Sequence, residues 1–366
     1  MRVLLLSRYG QLGPSSRLRH YQFLPALAAG GIEVDVTPLL PDRYLSMLYG
    51  GGGRSPGLVA QAYLTRLRAL LPVRRYDLVW IEKEILPWLP YPLERLLLGG
   101  VPYAVDFDDA WFHKYDRHRS GAVRALLGDK LDRLMSRAAL VTVGNDYLGN
   151  RARAAGARRI LTLPTVVDLD RYPLHKPATG KERVTIGWIG SPSTSPYLDL
   201  VRAPLEAMVA EGSAELVLIG AGKKALSGLP VRRLDWTEAS EVSNILSFDI
   251  GIMPLADTPW ERGKCGYKLI QYMACGRPVV ASPVGVNTSI VEHGVNGFLA
   301  DTEAEWREAL GRLCADPGLR EAAGAAGRAR VEQRYCVDRI VPQLIDGLRA
   351  AAGGPGRPCV RSSAGT

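Results

Sequence analysis

Charge and backbone donors gather between residues 256 and 271. A loop containing proline and glycine, Ala256 to Gly266, carries Glu261, Arg262 and Lys264, and the helical segment it opens, Tyr267 to Ala274, carries Lys268 and Gln271. N–H groups at a helix start, here Gly266 and Tyr267, combined with two ammonium groups suit an anion of the diphosphate kind. A second cluster reads Asp106-Phe107-Asp108-Asp109-Ala110-Trp111-Phe112-His113. Two chemistries fit it. Asp-x-Asp carboxylates suit a divalent cation, and the same acids with His113 suit orienting or deprotonating a hydroxyl. A helix N-cap role accounts for one of the three acids. Glu82-Lys83-Glu84 is either a solvated charge run or part of a cleft lining.

These groups need elements to hold them. Gly251 to Leu255 is an apolar run expected as a buried strand. Leu269, Ile270 and Met273 share one face of the helix, which Gly276 and Pro278 stop, and Val279-Val280-Ala281 begins the next strand. Such a unit builds a parallel sheet, whose ligands bind at the carboxyl ends of the strands. The same alternation fills the chain. Strands are expected at 3–7, 32–36, 77–81, 103–105, 139–144 and 160–163, and again at 184–189, 215–219 and 231–234. A helix over Arg17 to Ala29 is expected, capped by Ser15 or Ser16. After 184–189 the turn Gly190-Ser191-Pro192 offers hydroxyls and backbone N–H groups as a phosphate cradle. Residues 173–183 read as a linker, 42–57 with Gly50 to Gly53 as a surface loop, and 352–366 as a disordered tail.

With 366 residues, 47% hydrophobic and 23% charged, the chain can fill two cored domains. The net charge of +9 fits an arginine-rich background, or attraction to anionic substrates or an anionic membrane face. No basic block is interleaved with aromatics, so nucleic acid is not an expected partner. Five cysteines with no C-x-x-C pair argue against a zinc site or a disulfide frame and fit a reducing compartment. The apolar start, Met1 to Leu6, reads as a first buried strand rather than a signal peptide, and no run reaches the ~20 residues of a membrane span. The expected location is cytoplasmic, with room for peripheral contact at the inner face of the membrane.

The run Tyr272-Met273-Ala274-Cys275-Gly276-Arg277-Pro278-Val279-Val280-Ala281-Ser282 and the run Ile290-Val291-Glu292-His293-Gly294-Val295-Asn296-Gly297-Phe298-Leu299 closely resemble segments of glycosyltransferase family 4. The resemblance implies an α/β chain of GT-B fold, two Rossmann-like doubly wound domains facing a cleft. It implies an N-terminal acceptor-side domain at 1–172 and a nucleotide-sugar-binding domain at 184–336. A helix at 337–351 is expected to cross back to the first domain. The activity implied is transfer of a sugar from a nucleotide diphosphate-sugar to a hydroxyl acceptor of unspecified type, with retention, and with neither metal nor prosthetic group. That metal-independent class favours the hydroxyl-acceptor reading of the Asp106 cluster.

In the family two glutamates stand eight positions apart; here those positions hold Gly263 and Gln271. Gln271 is expected to hold the donor ribose and Glu261 the donor-sugar hydroxyls. Lys264 and Lys268 are expected to supply the charge that the family places on an Arg and a Lys after its first strand of this domain. Gly190, Ser191, Gly266, Tyr267 and Trp236 complete the expected donor side. Gly13, Ser16, Arg17, Arg19, Asp106, Asp108 and Asp109 form the expected acceptor side, with Asp108 also a catalytic candidate and His113 beside the transferred sugar. Loss of both glutamates leaves two other classes open: a non-catalytic sugar-nucleotide-binding scaffold, and a GT-B nucleotide-sugar epimerase.

Overall fold

A computed structural model describes residues 1–49, 55–174 and 183–353. The glycine run at 50–53, most of the expected linker and the tail from residue 354 lie outside the described residues. The chain divides into two units, one of Met1–Pro164 with the chain from Ile340, the other Thr165–Arg339.

The first unit holds six parallel strands: β1 (Arg2–Leu6), β2 (Glu33–Val36), β3 (Leu78–Glu82), β4 (Tyr103–Phe107), β5 (Leu140–Val143) and β6 (Ile160–Thr162). Their order is β2-β1-β3-β4-β5-β6. β1, β3, β4 and β5 are almost wholly buried, as unbroken apolar runs in a sheet covered on both faces must be. Chain order reverses between β1 and β3. There the loops leaving the two strands diverge and open a crevice at their carboxyl ends.

The first helix differs from expectation. It breaks into Pro14–Arg19, a 3₁₀ turn at Tyr21–Phe23, and Leu24–Ala29. Pro14 and Pro25 each favour a fresh helix start, and His20 between them leaves helical geometry at φ −134°. Gly13, not a serine, stands at the N-cap, and no side chain caps the helix. Ser16 is used elsewhere, as described below.

The second unit repeats the plan with β7 (Val184–Ile189), β8 (Ala214–Ile219), β9 (Val231–Leu234), β10 (Ile250–Met253), β11 (Val279–Ala281) and β12 (Gly297–Leu299). Their order is β12-β11-β10-β7-β8-β9, all parallel, with the reversal between β7 and β10. Thr165 to Tyr172 belongs to this second unit rather than the first. Val167 bridges Cys336, and Tyr172 is buried in the second unit's core. Among the described residues no helix is long and apolar enough to cross a membrane.

Candidate functional site

In the second unit the reversal sets the loop after β7, Gly190 onward, beside the loop after β10, which leads to the helix Tyr267–Ala274. Gly190 is forced by packing: a Cβ there would lie 2.3 Å from the Trp188 ring and 2.8 Å from Thr194 Oγ1. The N–H groups of Gly190 and Ser191 are spent inside the fold, on Ile219 O at 3.0 Å and Thr194 Oγ1 at 3.1 Å. The loop therefore presents the exposed hydroxyl of Ser191, 2.8 Å from that of Ser193, rather than the N–H cradle expected.

Gly266 caps the opposite helix in the left-handed region at φ 65°, where a Cβ would stand 2.3 Å from Ile290 Cδ1. Lys264 and Lys268 flank this glycine. The Lys264 ammonium lies 5.9 Å from the Tyr197 ring and that of Lys268 5.6 Å from the Trp188 ring. Those two aromatics bracket the loop after β7 in sequence, so each ammonium lies near a ring at one end of that loop. Glu261 is buried. Its carboxylate accepts from the hydroxyls of Tyr197 and Thr258, so the oxygens expected to meet a sugar are already engaged.

Gln271 is buried, and its Nε2 donates to Tyr172 Oη at 3.2 Å. Tyr172 Oη in turn donates to Glu241 Oε1 at 3.5 Å and lies 3.4 Å from the Tyr267 hydroxyl. Trp236 Nε1 donates to the other oxygen of Glu241 at 2.7 Å. Gln271, Tyr172, Glu241, Trp236 and Tyr267 thus form one polar chain around a buried carboxylate. Sequence reading missed Glu241. Its one signal was an acid at the start of a short helix, Glu241–Leu246, an ordinary place for an acid.

In the first unit the crevice at β1 and β3 is lined by paired charges. Asp106 is buried and held by Arg19, Nε to Oδ2 at 3.0 Å and Nη2 to Oδ1 at 2.6 Å, with Thr142 Oγ1 donating at 2.5 Å. Asp108 meets the Lys83 ammonium at 2.8 Å. Burial alone pushes its carboxyl up, but Lys83 overrides this and holds it at about 2. Asp109 stands 3.7 Å from the same ammonium, and its side chain is 29% exposed against 11% for Asp108 and 2% for Asp106. It is the acid a ligand can reach. These pairings commit the Asp106 and Asp108 carboxylates to protein cations.

Ser16 donates to Glu82 Oε2 at 2.6 Å and accepts from Tyr9 N, which explains why it caps no helix. Gly13 packs under Tyr9, whose Cβ would be 2.3 Å from an added Cβ. Arg17 is buried and donates to Gln11 O at 3.3 Å. His113 is committed on both ring nitrogens, Nδ1 to Asp116 Oδ1 and Nε2 to Tyr147 Oη, each at 2.8 Å. That leaves neither nitrogen for a sugar without breaking a contact.

Glu84 is a hub that the sequence only hinted at. Trp111 Nε1, Tyr115 Oη and Lys130 Nζ each donate to it at 2.7 Å. Arg8 lies 4.3 Å over the Trp111 ring, and Lys114 lies 4.8 Å over Trp111 and 4.6 Å over Trp88. Burial pushes the Lys114 ammonium down to about 8 despite nearby Glu84. Lys83 and Trp88 both sit in the left-handed region, at φ 64° and 66°. Such strain in residues other than glycine concentrates at functional loops.

Residues 183–316 match the model of the family described as Glycosyl transferases group 1. A D-inositol 3-phosphate glycosyltransferase of Xylanimonas cellulosilytica is 27% identical over 234 residues, covering 54% of this chain and 52% of the relative. The putative teichuronic acid biosynthesis glycosyltransferase TuaH of Bacillus subtilis is 26% identical over 170 residues, 41% of this chain and 42% of the relative. The chain thus matches these relatives over about half their length or less. Among solved structures, sucrose-phosphate synthase from Thermosynechococcus elongatus superposes with a TM-score of 0.70 at 16% identity, over 95% of this chain and 98% of that one. Anabaena HepE in complex with UDP-glucose gives 0.65 at 18% identity, over 96% and 100%. At these identities the likeness is one of fold, and that fold is GT-B.

Proposed function

We propose, from a chain whose residues 183–316 belong to the glycosyl transferases group 1 family and whose fold is GT-B, that this protein moves a sugar from a nucleotide diphosphate-sugar to a hydroxyl acceptor, with retention at the anomeric carbon. In that reaction the acceptor oxygen bonds to the anomeric carbon, the bond to the diphosphate breaks with its electron pair leaving on phosphate oxygen, and the acceptor's O–H proton passes to the leaving diphosphate. Negative charge grows on the leaving group, so fixed positive charge there lowers the barrier. The observation that carries the reading is the placement of Lys264 and Lys268 on either side of Gly266, near the Tyr197 and Trp188 rings at the two ends of the loop after β7. Hydroxyls of Ser191 and Ser193 add hydrogen bonds to phosphate oxygens. Glu241, through Tyr172 and Trp236, supports the nucleoside end. In the first unit Asp109, with the Trp111 and Trp88 faces, is our choice for the acceptor hydroxyl and its sugar ring or chain.

Titration with UDP-glucose, then with GDP-, ADP- and dTDP-sugars, tests the donor side. Lys268→Ala is expected to weaken the preferred donor by roughly 10–100-fold, the effect of one charge-assisted hydrogen bond, with the melting temperature unchanged. Equal affinity in the variant would remove the basis of the proposal. The buried, engaged Glu261 favours one competing reading, a protein that binds the donor and does nothing to it. Tight donor binding with no turnover against any hydroxyl acceptor would establish that reading instead.

A further inference from the structure

All strands of the first unit's sheet are parallel, so residues that immediately precede strands meet at one edge. That amino edge lies a strand's length, roughly 13 Å, from the carboxyl edge that carries Asp106 to Asp109. Arg137 stands just ahead of β5, and Arg158 and Arg159 directly ahead of β6. With Arg95 of the helix Tyr91–Leu97 they line a cavity of about 670 Å³ beside the start of β4. The buried rings of Tyr91 and Tyr103 form part of its wall. A second cavity of about 430 Å³ shares Arg95 and Arg137 and adds Arg133. No aspartate or glutamate lines either cavity among the described residues.

Four exposed arginines line the larger cavity, and no carboxylate lines it among the described residues. Elsewhere in this unit buried cations are paired closely, as Lys83 is with Asp108 and Lys130 with Glu84. Like charges gathered around one cavity repel. A multivalent anion relieves that repulsion, and guanidinium groups match phosphate oxygens two at a time. The larger volume falls within the ordinary range of small-ligand sites. We propose that this cavity is a second anion site, separate from donor and acceptor, that takes a phosphoryl group carried by a small molecule or by a lipid headgroup.

The test uses the full chain and inorganic pyrophosphate at low salt. Calorimetric titration of a Lys264→Ala/Lys268→Ala variant removes the donor site from the signal. Adding Arg137→Gln/Arg159→Gln is expected to weaken the remaining pyrophosphate binding by about tenfold or more. UDP-sugar affinity in an otherwise native chain carrying only the arginine changes stays the same. Should the lysine variant fail to fold, native chain is titrated instead, and its two-site curve loses one site in the arginine variant. Parallel sedimentation with phosphatidylglycerol and phosphatidylcholine vesicles separates the sources. Arginine-dependent pelleting on phosphatidylglycerol alone identifies a headgroup, and pyrophosphate binding without pelleting identifies a soluble ligand. Pyrophosphate binding and vesicle pelleting that both ignore the arginines overturn the proposal.

Discussion

Gln271 occupies the position where the family resemblance expects an acid, and its neighbours explain the exchange. Its amide donates to Tyr172, whose hydroxyl already leads to the carboxylate of Glu241. A second carboxylate at 271 would face the first across one hydroxyl, in a buried place where two like charges cannot both ionise cheaply. Gln271→Glu is therefore expected to hold its proton, with a folded pKa above that of the unfolded chain. The sign follows from proton linkage: any stability the variant retains is present at low pH and is lost as pH rises through the folded value. Urea unfolding at pH 5 and pH 8 should give a larger deficit against native chain at pH 8. Equal deficits would mean that Glu241 and residue 271 do not sense one another. The run from Tyr272 to Ser282 made the position of Gln271 legible in the sequence. Glu241 was not legible, because its partners at 172, 236 and 271 come together only through the order of the strands.

The loop and helix after β3 show how an element stores charge. Lys83 and Trp88 hold left-handed conformations at the two ends of a turn whose centre is buried. The helix that follows, Tyr91–Leu97, supplies Glu94, wholly buried, with Oε1 accepting from Leu86 N at 2.8 Å and 3.0 Å from the Lys130 ammonium. Burial pushes the Glu94 carboxyl up to about 7, although Lys130 and the Leu86 N–H pull it down. The folded value exceeds the ordinary 4.5, so this group's contribution to stability is complete below about pH 4.5 and is lost as pH climbs through about 7. Glu94→Gln keeps an acceptor for Leu86 N and removes the titration. Thermal melts between pH 5 and pH 8 should fall less steeply in the variant than in native chain; parallel curves would mean that Glu94 does not titrate there. Elements of this kind were only half legible. The strand at 77–81 and its charged end could be read from alternation and burial. The pairing of Glu84 with Lys130, 46 positions on, and the backbone strain could not, because they depend on how helices pack beneath the sheet.

At the scale of the molecule, the repeated strand–helix alternation made two doubly wound units legible, and one boundary moved. Thr165 to Tyr172 reads like the end of the first half. It joins the second because Val167 bridges Cys336 and Tyr172 reaches Gln271 and Glu241. Each unit has its own buried core, one built on β1, β3, β4 and β5, the other on β7, β8, β10 and β11. Separate cores give heat two cooperative transitions to find. A donor held by Lys264, Lys268, Tyr172 and Glu241 touches only the second unit, so it stabilises only that unit's folded state. At a hundredfold excess over Kd the gain is about 2.7 kcal/mol, which for a unit of this size raises its melting temperature by roughly 5–10 °C. Scanning calorimetry with the preferred nucleotide-sugar should therefore move one transition and leave the other in place. At the same donor concentration Lys268→Ala should cut the movement to roughly half or less without altering the ligand-free scan. A donor that instead raises the first unit's transition alone would place the nucleotide site on the wrong half of the chain, and the roles given to Lys264, Lys268 and Glu241 would fall together.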